Sequence, residues 1–384
     1  MFNRKMYTGV PYWRLSAFYF LLFVTVGIFL PYWSLYLKSI GMDAEQIGIL
    51  TATVVFTKIF IGYFWGWIVD YTGHRIRVIQ IASICSAISF SAALYIHSFW
   101  GLVFILFFFS LFWSASLPQI EAVTLTHLGD ATHDYTSIRV WGSVGFIISV
   151  WLLGVIFEYF DIGNVPLLML VSMVVVWVCS LFIPEQSVRH HADGGQGMRS
   201  ILFKPQVMAF FAVCFLMLAS HGPYYTFYSI YLEEHGYSST FIGQMWSLGV
   251  IAEVFLFISM KYLSRVIGLR ILFMSSLVFA VLRWLLIGYF VESLVLLIIA
   301  QLFHAATFGI YHAVAIQYVH KFFKGRLQGR GQALYSSVSF GAGMAFGSLA
   351  SGYAWDRFGA LFCFQFAALI SLIAFILVLF WIEE

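Results

Sequence analysis

The sequence predicts an all-α membrane protein, folded as two repeats of about six spanning helices each. Three observations carry that expectation. The 384 residues are 62% hydrophobic and only 10% charged, whereas soluble domains run nearer 45–50% and about 25%. Apolar runs of roughly twenty residues, the length that crosses a bilayer, follow one another along the chain. The first half of the sequence also repeats in the second.

The apolar runs fall at 14–37, 45–69, 78–97, 101–124, 138–160, 166–183, 206–232, 240–262, 271–290, 294–317, 332–354 and 360–381. Arg4, Lys5 and Arg14 flank the first run. No small-residue cleavage site follows it, so it reads as a span behind a retained tail rather than a signal peptide. The longest polar segment, PEQSVRHHADGGQGMRSILFKP at 184–205, separates two bundles at 1–183 and 206–384. Alternate loops hold nearly all the Lys and Arg, while the others keep only Lys38 and Arg357. That bias puts both termini in the cytoplasm, in a bacterial inner membrane.

The repeat is legible residue by residue. YWSLYLKSIGMDAEQIG (32–48) aligns with FYSIYLEEHGYSSTFIG (227–243) at an offset of 195 (227 − 32). Gly41 meets Gly236 and Gly48 meets Gly243, and the same register pairs Gly73 with Gly268 and Arg75 with Arg270. Two parallel bundles with a site between them is a plan for alternating access.

Several classes are excluded. No Lys/Arg block suggests nucleic acid. Cys85, Cys179, Cys214 and Cys363 sit in apolar runs without metal or disulfide spacing, so neither metal nor cofactor is expected. The glycine runs GSVGF (142–146) and GAGMAFGSLASG (341–352) have no strand before them and no Lys-Ser/Thr after them. They serve helix packing rather than phosphate binding. HHADGG (190–195) has histidines, but lies in the linker. No enzymatic activity is expected.

Between the second and third spans runs GWIVDYTGHRIR, 66–77. Gly66 is expected to allow close helix approach, Asp70 to pair or cap at a helix end, Gly73 to make the turn, and Arg75 to supply charge. This pattern resembles the signature loop of the major facilitator superfamily and implies that fold of twelve spans. The second copy, MKYLSRVIGLR (260–270), has Arg265 at the place of Asp70.

Glu121 and Arg139 each touch an apolar run, where charge is costly. P-x-x-E-A (118–122) and R-x-x-G-x-x-G-F (139–146) resemble the lactose-permease branch of proton symporters. There such a pair holds the substrate and an aromatic, here Phe146, stacks on it. A structural ion pair is the alternative. YWRLSAFYFLLF (12–23), SIRVWGSVGF (137–146), ASHGPYYTFYSIYLEEHGY (219–237) and GRGQALYSSVSFGAG (329–343) resemble the phenylpropionate permease family. The likeness runs end to end, and implies proton-coupled import of small, often aromatic, organic acids. Efflux of drugs and symport of sugars or nucleosides are the rival functions.

The charged residues within or at the inner edge of the spans are Lys58, Glu121, Arg139, Glu253 and Arg283, with base in surplus. That suits an anion, which arginine can grip with two hydrogen bonds and lysine with a point charge. Lys58, Glu121 and Arg139 are expected to organise it. Trp141, Phe146, His221, Tyr224 and Tyr225 are candidates for stacking, with Gly222 and Pro223 breaking the seventh helix. Glu253, Arg283, His304 and His312 are candidates for proton coupling, since imidazole titrates in the useful range. Arg283 and His304 match the lactose-permease pattern, while Glu253 is displaced and Thr307 stands where that branch has an acid. The expected partners are a small-molecule substrate, protons and lipid, with the protein monomeric.

Overall fold

A computed structural model describes residues 10–129, 131, 134–185 and 198–383. The 190–195 histidine segment and most of the linker lie outside the described residues, as do Arg4 and Lys5. Among the described residues there are helices and turns and no strand.

Among the described residues, ten helices are long and apolar enough to cross a membrane, and one bent pair adds an eleventh. The last of them, Gln328–Trp381, has 54 residues. At 1.5 Å per residue it would far exceed a ~30 Å bilayer. It breaks at Gly359, whose φ of 86° and ψ of 165° are not helical. It therefore supplies two spans, and the chain crosses twelve times with its ends on one side, here called the termini side.

The spans differ from the expected runs where the backbone breaks. The second is a bent pair, Ala44–Ile59 and Ile61–Thr72, meeting at 42°, with Lys58 in the break. The fourth is two helices, Phe99–Trp113 and Ser116–Leu128. The seventh is interrupted at His221, between Pro205–Ser220 and Gly222–Glu234, as Gly222 and Pro223 foreshadow. In the tenth and eleventh spans, Ala305–Ile310 and Ser337–Gly343 are wound as π-helix, a rare form that is frequent at functional sites.

The halves meet where the first span packs on the seventh, the second on the eleventh and the fifth on the eighth. The repeated glycines mark the crossings. A Cβ at Gly48 would lie 2.7 Å from Gly352 Cα, and one at Gly243 would lie 2.3 Å from the Val150 carbonyl. Gly41 and Gly236 (φ 85° and 79°), like Gly73 and Gly268 (72° and 82°), hold left-handed turns that other residues adopt at a cost. Gly66 does not make the close helix approach expected of it among the described residues. Nothing lies within 4 Å of the place its Cβ would take, so no helix approaches there.

Opposite the termini the halves are tied together. Lys38 bridges Glu233 and Glu234, each at 3.1 Å, and Arg357 bridges Glu45 at 2.9 Å. Asp356 accepts from the Ala44 amide at 3.1 Å and Glu158 from the Thr240 amide at 3.2 Å. Each carboxylate thus lies against the positive N-terminal end of a helix in the other half. The same two helices are capped locally by Asp43 and Ser238, again 195 apart (238 − 43). The second and eighth spans therefore begin in the same way in both repeats.

Candidate functional site

Between the halves sit two clusters of charge. The first belongs to the N-terminal half. Arg139 opens the fifth span, and its Nε lies 3.9 Å from Glu121 Oε1, with the side chains 28% and 38% exposed. The Tyr135 hydroxyl donates to the same oxygen at 3.2 Å. The guanidinium lies 4.2 Å from the centre of the Phe23 ring, a cation–π contact. Gly142 makes this possible, because a Cβ there would stand 2.7 Å from Arg139 Nη1 and 2.9 Å from Phe23. Across the interface Arg139 is close enough to act electrostatically on Glu253 and His312.

The second cluster belongs to the C-terminal half. Arg283 is fully buried. Its Nη1 donates to Thr307 Oγ1 at 3.1 Å and its Nη2 to Gln301 Oε1 at 3.1 Å. The rings of Tyr224 and Trp284 lie 4.1 and 4.7 Å from its guanidinium carbon. Among the described residues no carboxylate comes within ion-pair distance of it. Thr307 is the reason, since a neutral hydroxyl takes the place where an acid would neutralise the cation. Beside this knot, His304 Nε2 lies 3.8 Å from Glu253 Oε2, with 6% and 17% exposure. Gly249 gives the imidazole its slot. Further along the tenth span His312 Nδ1 pairs with the Tyr335 hydroxyl at 3.0 Å.

Lys58 is exposed at the break in the second span, with no ion-pair partner among the described residues. Ile49, Thr53 and Phe56 line an apolar groove on the outer face of that helix. The backbone of Lys58 touches the eleventh span, where the Ser337 hydroxyl donates to the Lys58 carbonyl at 3.5 Å.

The remaining candidates are placed as follows. His221 is 1% exposed. Its Nδ1 bonds the Met217 carbonyl at 2.8 Å and its Nε2 has no partner among the described residues. Tyr224 is buried against Arg283, and its hydroxyl reaches Gln301 at 3.3 Å. Tyr225 is half-buried. Trp141 donates to Tyr12 at 3.2 Å, at the termini end of the first span. Phe146 is 4% exposed in the core. The structure therefore does not bring Trp141 or Phe146 to Arg139. Asp70 and Arg75 are electrostatic neighbours across the Gly73 turn. Glu185 caps the third span through the Ile76 and Arg77 amides at 3.1 and 3.3 Å.

Sequence reasoning missed Tyr135, Gln301 and Trp246. Trp246 packs against Tyr224, ring centres 4.9 Å apart and tilted by 39°. Only Gln301, an amide in an apolar run, carried a signal. Among the described residues no cluster of His, Cys, Asp and Glu could hold a metal.

Residues 12–366 match the family model described as "MFS_1 like family". The chain is 30% identical over 351 residues to the "Probable 3-phenylpropionic acid transporter" of Escherichia coli (strain K12), covering 90% of this chain and 91% of that one. It is 24% identical over 358 residues to the "Maltose permease" of Geobacillus stearothermophilus, covering 90% and 89%. The crystal structure of a mutant of the nucleoside transporter NupG superposes with a TM-score of 0.87 at 17% identity, covering 97% of this chain and 100% of that one.

Proposed function

The chain belongs to the MFS_1-like family of major facilitator transporters, and from that premise we propose that it imports small organic acids, aromatic ones included, together with protons. One observation carries the reading. Each interior acid already has a basic neighbour, Arg139 for Glu121 at 3.9 Å and His304 for Glu253 at 3.8 Å. Among the described residues, Lys58 and Arg283 have no carboxylate. These two positive charges lack a counter-ion among the described residues, and an arriving carboxylate supplies one.

In this reading Lys58 and Arg139 take the substrate carboxylate. Lys58 has no competing partner among the described residues, and the Arg139–Glu121 pair is long and half-exposed, hence easily opened. Glu253 and His304 exchange the proton. The family relationship supports a small-molecule substrate in a membrane transporter. The finer assignments rest on charge: the loops on the termini side carry the Lys and Arg, so that side is cytoplasmic. The paired far end is then the closed outer gate of a monomer in the inner membrane, open inward.

Lys58→Ala and Arg139→Ala test this. Each is expected to abolish acid uptake in vesicles while the purified protein keeps its thermal midpoint. Wild-type protein in an acid at 100 times its dissociation constant should gain roughly 2.7 kcal/mol. Normal uptake by both variants would place the site elsewhere. Stabilisation by sugars or nucleosides in place of acids would favour the substrates named for the more distant relatives.

A further inference from the structure

The two π-helical segments each present one phenylalanine, Phe308 from Ala305–Ile310 and Phe340 from Ser337–Gly343. Their rings meet at 6.1 Å and 70°, edge to face. His312 stacks on Phe308 at 6.0 Å and 12°, and turns its ring 74° to Phe340 at 5.8 Å. Tyr335 closes the group, 6.0 Å from Phe340 at 89°. Phe308, His312 and Phe340 are half-buried, whereas His304 and Tyr335 on either side are buried. His304 also stacks on Phe308, at 5.6 Å and 16°, while Phe308, His312 and Phe340 each keep part of their surface uncovered.

The segment bearing Phe340 is also the one that touches Lys58. The Ser337 hydroxyl bonds the Lys58 carbonyl. Gly341 admits Ile59 so closely that a Cβ would stand 2.8 Å from its side chain. The segment that carries Phe340 therefore packs against the backbone of Lys58 and Ile59. The π-winding makes this arrangement, because the extra residue per turn shifts each phenylalanine relative to the regular helix around it.

We propose that Phe308 and Phe340 form the specificity subsite of the transporter, holding the aromatic ring of an aryl carboxylate whose acid group lies on Lys58. This rests on the organic-acid reading above and extends it from charge to shape. The subsite discriminates by π-face contact rather than by size, since a ring packs edge to face or offset on its neighbours.

The test uses two acids with the same chain and a similar ring, 3-phenylpropionate and 3-cyclohexylpropionate. Affinities are read by thermal shift of the full-length purified protein. Wild type should prefer the phenyl acid. Phe308→Leu and Phe340→Leu should each reduce that preference about tenfold, with little change for the cyclohexyl acid. Phe340→Trp, which keeps a π face, should retain the preference. It serves as the readout if a leucine variant fails to fold. Lys58→Ala should weaken both acids alike. Leucine variants that keep the wild-type preference would overturn the subsite and leave the organic-acid reading standing. So would loss of the preference in Phe340→Trp, or equal affinity of wild type for the two acids. Failure of both acids to bind wild type would overturn the two together.

Discussion

Arg139 and Arg283 occupy opposite halves and solve the problem of a buried cation in opposite ways. Arg139 keeps a carboxylate at 3.9 Å with about a quarter of its side chain in contact with solvent. Arg283 has no solvent contact and, among the described residues, no acid. It is held by an amide oxygen, a hydroxyl and two aromatic faces. The difference shows which site is adaptable. A long, wet ion pair reorganises at little cost. A cation set among neutral dipoles has one geometry, and removing water from it raises the value of each contact.

Arg283→Met breaks the comparison most sharply. It replaces a desolvated cation by an apolar chain of similar length. The expected result is abolished transport with the fold retained and stability lower by about 1–3 kcal/mol, because Gln301 Oε1 and Thr307 Oγ1 lose their buried donor. Loss of folded protein, measured by chemical denaturation in detergent, would mean that Arg283 holds the architecture rather than the function. The second test sets one interior acid against the other. Glu253→Gln should uncouple uptake from the proton gradient, lowering accumulation in energised vesicles at least tenfold while exchange persists. Glu121→Gln should leave accumulation coupled and weaken substrate affinity by only a few-fold, corresponding to ~1 kcal/mol for a half-exposed pair. Equal behaviour of the two variants would erase the distinction between the clusters.

The smallest effect comes from a carboxylate outside the membrane. Hydrogen bonds from Thr240 and Ser238 hold the Glu158 carboxyl below its ordinary value of 4.5. The acid is stabilised in its charged form when the halves are closed. Its contribution is complete above pH 4.5 and is lost as pH falls through the lowered value. Glu158→Gln should therefore flatten the acid side of the thermal midpoint's pH profile and leave the neutral side unchanged. An unchanged acid limb would show that the Thr240 amide is not held by this charge.

Much of the fold was readable because its signals are contrasts. Charges stand out in apolar runs, and matched glycines stand out in a repeat. Gly48 and Gly243 now have a cause, since each is the point where one half's backbone crosses the other's. Gly222 and Pro223 likewise announced the break at His221. Pro118 is the equivalent sign in the fourth span, because its ring excludes the carbonyl of Ser114, four residues back, where that span divides. The π-winding gave no such notice, since it depends on backbone register, which composition does not record. Aromatic positions were the least legible. With 42 Phe, 21 Tyr and 13 Trp, Phe308 and Phe340 look like any others until the two π-segments turn them toward each other. Trp141 and Phe146 carried a motif, yet the structure holds them away from Arg139. Thr307 was noticed as a departure, and the structure gives it a physical meaning: Arg283 is left uncompensated.

Lys38 and Glu233 stand at equivalent positions of the repeat (233 − 38 = 195) and touch each other at 3.1 Å. A residue that contacts its own counterpart lies on the pseudo-twofold axis. In a homodimer of identical half-length chains this position would set lysine against lysine or glutamate against glutamate. Joining the two copies in one polypeptide removes that constraint, because each copy can then mutate alone. The axis is thus where a duplicated bundle gains most from divergence, and a single opposite-charge substitution there turns self-repulsion into a clasp.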